Sequence, residues 1–452
     1  MPSSATDTIV AIATAPGRGG VGIVRLSGPD AEAIARILSG RALPAPRTAA
    51  LRRFRGADGT AIDSGLVLHF PTPHSFTGED VVELQTHGSP VALNSLVAAA
   101  CAAGARPARP GEFSERAFLN DRIDLAQAEA IADLIDATTV EAARAAQRSL
   151  DGELSQRVQA IAAQLVELRM LVEGALDFSD EDIDWLADCS LPTKLKAAAT
   201  ALAALLAQAA QGRRLREGYT VALTGRPNVG KSTLLNRLAG ADVAIVTDVA
   251  GTTRDVLREN IDLGGLPVTL VDTAGLRESD DLVEREGIRR ARRALEQAEL
   301  ALFVVDARHG LTGEDRELIA TLPRGLPLLV VRNKSDLAGI DAGREHGERD
   351  AGLYLSAATG EGIDRLIDEL QRRAGLQAGS EGVFSARGRH VDAMRRAQGH
   401  LRQAAERLRE RTMPELAAEE LRLAHEALGE ITGRFTTEDL LGRIFASFCI
   451  GK

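Results

Sequence analysis

Gly225-Arg-Pro-Asn-Val-Gly230-Lys231-Ser232 is the segment whose residue types and spacing most plainly imply chemistry. It follows an apolar run, Thr220–Thr224, that reads as a strand, and precedes a helical run, Thr233–Leu238. That is the context a phosphate-cradling loop requires. Its glycines free backbone N–H groups to surround phosphate oxygens, and the start of the following helix adds positive potential. Lys231 is expected to reach the β- and γ-phosphates, and the Ser232 hydroxyl to ligate magnesium.

Three further stations follow in order. Asp272-Thr273-Ala274-Gly275 ends an apolar strand, where the carboxylate can hold magnesium through water and the Gly275 amide can sense the γ-phosphate. Asn333-Lys334-Ser335-Asp336 ends another. The Asp336 carboxylate can accept both N1–H and N2–H of guanine, a donor pair that adenine lacks. Ser356-Ala357-Ala358 follows a further strand, and its backbone can meet guanine O6. Between the first two stations lies Thr247-Asp248-Val249-Ala250-Gly251-Thr252-Thr253, where a threonine hydroxyl can complete the magnesium shell and leave after hydrolysis. With Asn228, Val229, Gly230, Lys231, Ser232 and Thr233, these segments are the expected contacts of bound GTP. The residue after Gly275 is Leu276, where Ras-type enzymes carry a water-orienting glutamine. Leucine cannot orient water, so hydrolysis needs another residue, another cation, or both. The residues alone leave Glu278, Asp280, Asp281, Glu284 and Glu286 open as candidates.

These loops need a scaffold. Strand-like runs at Thr220–Thr224, Glu259–Leu263, Val268–Asp272, Ala301–Asp306, Leu328–Asn333 and Leu353–Leu355, most of them alternating with helical patterns, predict a mostly parallel sheet with right-handed crossovers. Upstream, strands are expected at Thr8–Ala13, Val21–Leu26, Gly65–His69 and Val81–Thr86, with helices at Ala31–Leu38 and Ser89–Ala103. From Asp124 to Arg216 the pattern is helical, with an apolar stripe at Leu125, Ala128, Ile131, Leu134 and Ile135 and a helix opening near Ser190 and Pro192. After Gly375 helices are expected at Arg389–Arg411, Pro414–Ile431 and Thr437–Ser447. Helical segments on both sides imply that the sheet-bearing domain is inserted into a helical one.

The 452 residues exceed one ordinary core, and a net charge of -10 is the wrong sign for a non-specific nucleic-acid binder. Any RNA contact must use a local basic patch. Cys101, Cys189 and Cys449 form no CxxC pair and no metal spacing, which points to a reducing compartment. No apolar run reaches the ~18 residues of a membrane helix. The start MPSSATDTIVAIATAPGRGG lacks a basic region and carries Asp7, so it does not read as a secretory signal and the cytoplasm is expected.

The chain resembles the tRNA-modification GTPase MnmE (TrmE) family over nearly its whole length. The resemblance is carried by GRGGVGIVRLSG (17–28), SFTGEDVVELQTHG (75–88), ARPGEFSERAFLND (108–121), DLAQAEAIADLIDA (124–137), GRPNVGKS, AIVTDVAGTTRDV (244–256), DTAGLRES (272–279), VVRNKSD (330–336) and FCIGK (448–452). It implies an N-terminal folate-binding α/β domain (1–120) that dimerises, a discontinuous helical domain (121–217 and 376–452), and an inserted P-loop G domain (218–375). It also implies a potassium ion on Asn228, Thr247, Val249 and Thr252, acting where other GTPases use an arginine finger, and magnesium on Ser232 and Thr253. The water-orienting residue it implies is Glu284. A tetrahydrofolate, 5-formyltetrahydrofolate or a relative, is implied at Arg25, Glu83, Arg122 and Lys452; position 122 departs from the family lysine. Cys449 is either an inert helix-terminal thiol or a participant in one-carbon transfer beside the folate. The implied activity is potassium-stimulated GTP hydrolysis. With a flavin-dependent partner protein, MnmG, it serves to install a carboxymethylaminomethyl-type group at C5 of the tRNA wobble uridine, in a homodimer that joins the partner as a heterotetramer.

Two other readings compete. A ribosome-assembly GTPase switch would carry a KH-like domain with a basic GxxG segment after the nucleotide-binding part, whereas amphipathic helices follow Gly375. A free-standing folate enzyme with a regulatory GTPase attached would modify tRNA without the partner protein.

Overall fold

In the computed structural model the described residues are 7–177, 190–240, 258–272, 295–342, 352–375, 383–410, 414–435 and 437–451. They fall into two compact units: Met1–Ala132 with Leu154–Leu191 and Gly399–Lys452, and Asp133–Glu153 with Pro192–Gln398.

The first unit holds a six-stranded sheet of β1 (Ile9–Ile12), β2 (Gly19–Ser27), β3 (Ala50–Arg55), β4 (Ala61–Phe70), β5 (Val81–Gly88) and β6 (Arg106–Pro107), in the order β3-β4-β5-β2-β1-β6. Only the short β6 runs parallel to its neighbour. Side chains alternate across a strand. Val24, Leu26, Val82 and Leu84 therefore face a core closed by the helices Ala31–Ser39 and Pro90–Ala102, while Arg25 and Glu83 face the other way in direct register. The first of these helices buries Ala31, Ile34, Ala35 and Leu38 and ends at Gly40, whose φ of 63° suits a left-handed cap. The expected helix Ser89–Ala103 is Pro90–Ala102, with Ser89 before its start and proline in its first turn. Helices Glu112–Leu119, Glu153–Asp177, Pro414–Thr432 and Glu438–Ala446 make up most of the rest of the unit. Leu154, Val158, Ile161, Leu165, Leu168 and Val172 form the buried stripe of the longest of them.

The second unit holds β7 (Tyr219–Thr224), β8 (Arg258–Leu263), β9 (Leu266–Asp272), β10 (Leu300–Asp306), β11 (Leu328–Asn333) and β12 (Gly352–Tyr354), in the order β12-β11-β10-β7-β9-β8. All neighbours are parallel except β8, which pairs antiparallel with β9 through the Gly264-Gly265 turn. β10 is buried on both faces, the reason it reads as an unbroken apolar run rather than an alternating one. In such sheets ligands bind beyond the carboxyl ends of the strands. The loops that open at Gly225 after β7, Ala307 after β10, Lys334 after β11 and Leu355 after β12 lie there.

One expectation changes. In the helix Leu125–Asp136, Ile135 is 45% exposed, whereas Asp133 is buried. Asp133 accepts from Ser385 Oγ (2.6 Å), Arg216 Nε (2.8 Å) and an Arg387 terminal nitrogen (2.7 Å). Three donors, two of them cationic, satisfy a carboxylate that burial alone would expel.

Candidate functional site

β7 delivers Gly225, and the loop to Gly230 turns back into the helix Lys231–Gly240. Gly225 (φ 138°) and Gly230 (φ 96°) take backbone conformations that side-chain-bearing residues rarely adopt. A Cβ at Gly225 would lie 2.3 Å from Val304 O, and one at Gly230 would lie 2.3 Å from Asn333 Nδ2. Asn228 also sits in the left-handed region, at φ 61°, which asparagine tolerates better than most residues. Lys231 Nζ donates to the carbonyls of Gly225 and Arg226 at 2.7 and 2.8 Å, so the ammonium lies over the concave side of its own loop. Arg226 reaches outward to Thr312 Oγ1 (3.3 Å) and Glu314 (3.1 Å) at the start of the helix Gly313–Ala320.

Asn333, at 2% exposure, joins three loops with one side chain. Its Nδ2 donates to Val229 O at 2.9 Å, while its Oδ1 accepts from the amides of Lys334 (2.8 Å) and Ala357 (2.9 Å). Lys334 takes φ 66° and sends Nζ to Asn228 O (2.7 Å) and Asp306 Oδ2 (3.0 Å). Asp336 is exposed beside this junction. Arg237, on the helix that follows the phosphate loop, donates to Ala357 O (3.2 Å) and Ala358 O (2.5 Å). Ser356 anchors the same loop, accepting at its carbonyl from Gly360 N (2.8 Å) and at Oγ from Thr359 N (3.2 Å). The phosphate loop, Asn333–Asp336 and Ser356–Ala358 are thus brought together at one sheet edge, with Ser232 and Thr233 exposed at the helix start. Asp272 ends β9 at the same edge. Residues 247–253, 273–275, Leu276 and Glu284 lie outside the described residues.

Reading the sequence missed Asp306, Arg226 and Arg237. The partners of Arg226 and Arg237, and the Lys334 that Asp306 reaches beyond its neighbour Arg308, lie far off in the chain, so no local pattern marks these contacts. The bonds to Arg308 first, and then to Lys334, hold the Asp306 carboxyl well below the usual carboxylate range against the opposing effect of burial.

The first unit carries a second cluster. Arg25 Nε and a terminal nitrogen donate to Glu83 Oε1 at 3.0 and 2.9 Å, and the guanidinium lies 5.9 Å from the Phe76 ring centre and 5.7 Å from that of Phe113. Cationic planes beside aromatic faces are mutually attractive. Arg122 is exposed, with its stem 3.3 Å from where a Cβ on Gly78 would lie. The C-terminal tail docks on the same unit. Gly111 N donates to Cys449 O (3.3 Å), and Gly451 fits so tightly that a Cβ there would lie 2.1 Å from Ile12 O. Cys449 is exposed, and Lys452 lies outside the described residues. Among the described residues there is no cluster of histidine, cysteine and acidic side chains able to hold a metal, and no helix long and apolar enough to cross a membrane.

The family model for the MnmE helical domain matches residues 125–449, and that for the GTP-binding protein TrmE N-terminus matches 8–122. The tRNA modification GTPase MnmE of Methylococcus capsulatus is 56% identical over 99% of both chains. That of Nitrosomonas europaea is 51% identical over 99% of this chain and 100% of its own. Among solved structures, Era of Aquifex aeolicus overlaps 40% of this chain and 66% of its own at 27% identity, with a TM-score of 0.27. Full-length identity above half, with both family models matched, settles the assignment: the chain belongs to the MnmE family of tRNA modification GTPases and is a GTP-hydrolysing enzyme of tRNA modification.

Proposed function

We propose that the enzyme hydrolyses GTP with magnesium and potassium, and with a flavin-dependent partner, MnmG, installs a carboxymethylaminomethyl-type group at C5 of the tRNA wobble uridine. In this reading it is a cytoplasmic homodimer that joins the partner as a heterotetramer. Residues 1–120 bind a tetrahydrofolate, 121–217 and 376–452 form the helical domain, and 218–375 the G domain.

The observation that carries the nucleotide reading is the Asn333 junction, which fixes the phosphate loop and the two base-facing segments in one geometry. Asp336 then selects guanine by accepting its paired N–H groups, and Lys231 turns from loop carbonyls to phosphate oxygens. The donor set fits hard cations, since Ser232 and Thr253 offer hydroxyl oxygens for magnesium and Asn228, Thr247, Val249 and Thr252 offer amide, carbonyl and hydroxyl oxygens for potassium. Held by those oxygens, the cations would supply positive charge to offset that developing on the phosphates. Glu284 orients the attacking water in the place that Leu276 cannot fill.

At the other cluster, the Glu83 carboxylate suits the N–H edge of a pterin, and Arg25 sits between two aromatic rings. Arg25→Ala is expected to weaken 5-formyltetrahydrofolate binding by about 10²-fold in calorimetric titration, the loss of a charge-assisted contact that also leaves Glu83 unpaired. An unchanged Kd would remove Arg25 from the folate site. The whole reading is tested by assaying tRNA modification with and without the partner. Dependence on the partner supports it, and activity of the isolated chain would favour a self-sufficient folate enzyme.

A further inference from the structure

Asp306 closes β10, and its two carboxylate oxygens have separate duties. Oδ1 accepts from Arg308 N (3.1 Å) and Arg308 Nε (3.0 Å), closing the turn that follows the strand. Oδ2 accepts from an Arg308 terminal nitrogen (2.8 Å) and from Lys334 Nζ (3.0 Å). The same Lys334 ammonium donates to Asn228 O at 2.7 Å. A single carboxylate therefore pulls on a lysine that bridges two loops, and both loops are bent where it acts. Lys334 stands at φ 66° and Asn228 at φ 61°, the left-handed conformation that costs a side-chain-bearing residue free energy unless its surroundings hold it. The Asp306 side chain is 12% exposed and that of Lys334 26%, so water weakens the contact less than at an open surface.

We infer that Asp306 is a positioning residue for guanine-nucleotide binding, holding Lys334 against the Asn228 carbonyl so that the base segment and the phosphate loop are set before the nucleotide arrives. It touches no nucleotide itself. The inference rests on the reading that Asn333–Asp336 recognises the base. Without the carboxylate, the Lys334 ammonium keeps one acceptor and gains freedom to swing into solvent, and the Asn228 carbonyl loses a fixed donor. The cost falls on binding, because the nucleotide must then order both loops itself. Chemistry at the γ-phosphate, once the site is filled, is left nearly untouched.

The test uses the full chain and a fluorescent methylanthraniloyl GDP. Asp306→Ala should weaken its affinity by about ten- to a hundredfold, mainly through faster dissociation, the range expected for one charge-assisted contact in a partly buried site. Turnover at saturating GTP should stay within about threefold of the parent, a split between binding and chemistry that general destabilisation would not produce. Arg308→Ala removes the turn's own ion pair but leaves Asp306 and Lys334 in contact, so its affinity should stay within about threefold of the parent. Asp306→Asn keeps an acceptor without the charge and should fall between; it also reads the effect if the alanine variant fails to fold. Parent affinity in both Asp306 variants, or an equal loss in Arg308→Ala, would overturn the inference. Asp336→Ala tests the underlying reading separately: undiminished guanine affinity there would remove the base assignment, and this inference with it.

Discussion

Asn333→Ala should weaken guanine-nucleotide affinity by about 10²–10³-fold and lower the unfolding temperature of the nucleotide-binding unit. The side chain is nearly fully buried and serves Val229 O, Lys334 N and Ala357 N at once. Alanine would leave two amides and a carbonyl without those partners, and each such buried group costs about 1–3 kcal/mol when nothing replaces its partner. The three losses share one side chain, so they will not simply add. Asn333→Asp separates them: the carboxylate still accepts from Lys334 N and Ala357 N but repels Val229 O, so the phosphate loop alone is released. Titration with labelled GDP and thermal unfolding measure both effects. Parent affinity in the alanine variant would mean that the three loops hold their places without this junction.

Glu284→Ala should cut GTP turnover by about 10²–10⁴-fold while leaving GTP affinity nearly unchanged. Leu276 puts an aliphatic side chain where a water-orienting amide stands in Ras-type enzymes. Hydrolysis then needs another residue, another cation, or both, and a carboxylate can accept a hydrogen bond from the attacking water. Such a group acts on the transition state and adds little to ground-state binding, so kcat should fall and Kd should not. Nucleotide titration beside single-turnover hydrolysis distinguishes the roles. Equal loss in both would mark Glu284 as structural.

The sheet of the second unit was legible because burial on both faces writes itself as continuous apolar runs. The expected Leu328–Asn333 is the observed β11, and Thr220–Thr224 falls one residue short of β7. The glycines and the lysine of the phosphate loop were legible for the same kind of reason, since local backbone demands leave local residues. β3 was not, because in Ala50-Leu-Arg-Arg-Phe-Arg55 only Phe54 is buried and three arginines hide the alternation. Asp133 was hidden too, as a carboxylate on a helical stripe looks like solvent-facing charge until Ser385 and Arg387 arrive from the far end of the chain. The junction at Asn333 shows the limit most clearly. Its type and position were readable, but its bond to Val229 O is made by folding, and no spacing in the sequence announces it. Arg25 is similar: its register partner Glu83 was named, whereas the flanking rings of Phe76 and Phe113 were not.

The most direct measurement is GTP turnover in potassium chloride against sodium chloride at equal ionic strength, for the parent enzyme and for Asn228→Ala. A site that lacks the glutamine and uses a monovalent cation should run at least about tenfold faster in potassium, the scale of one added charge at the transferring phosphate, and should lose that advantage in the variant. Equal rates in the two salts would contradict the account, whatever the loops around the phosphate look like.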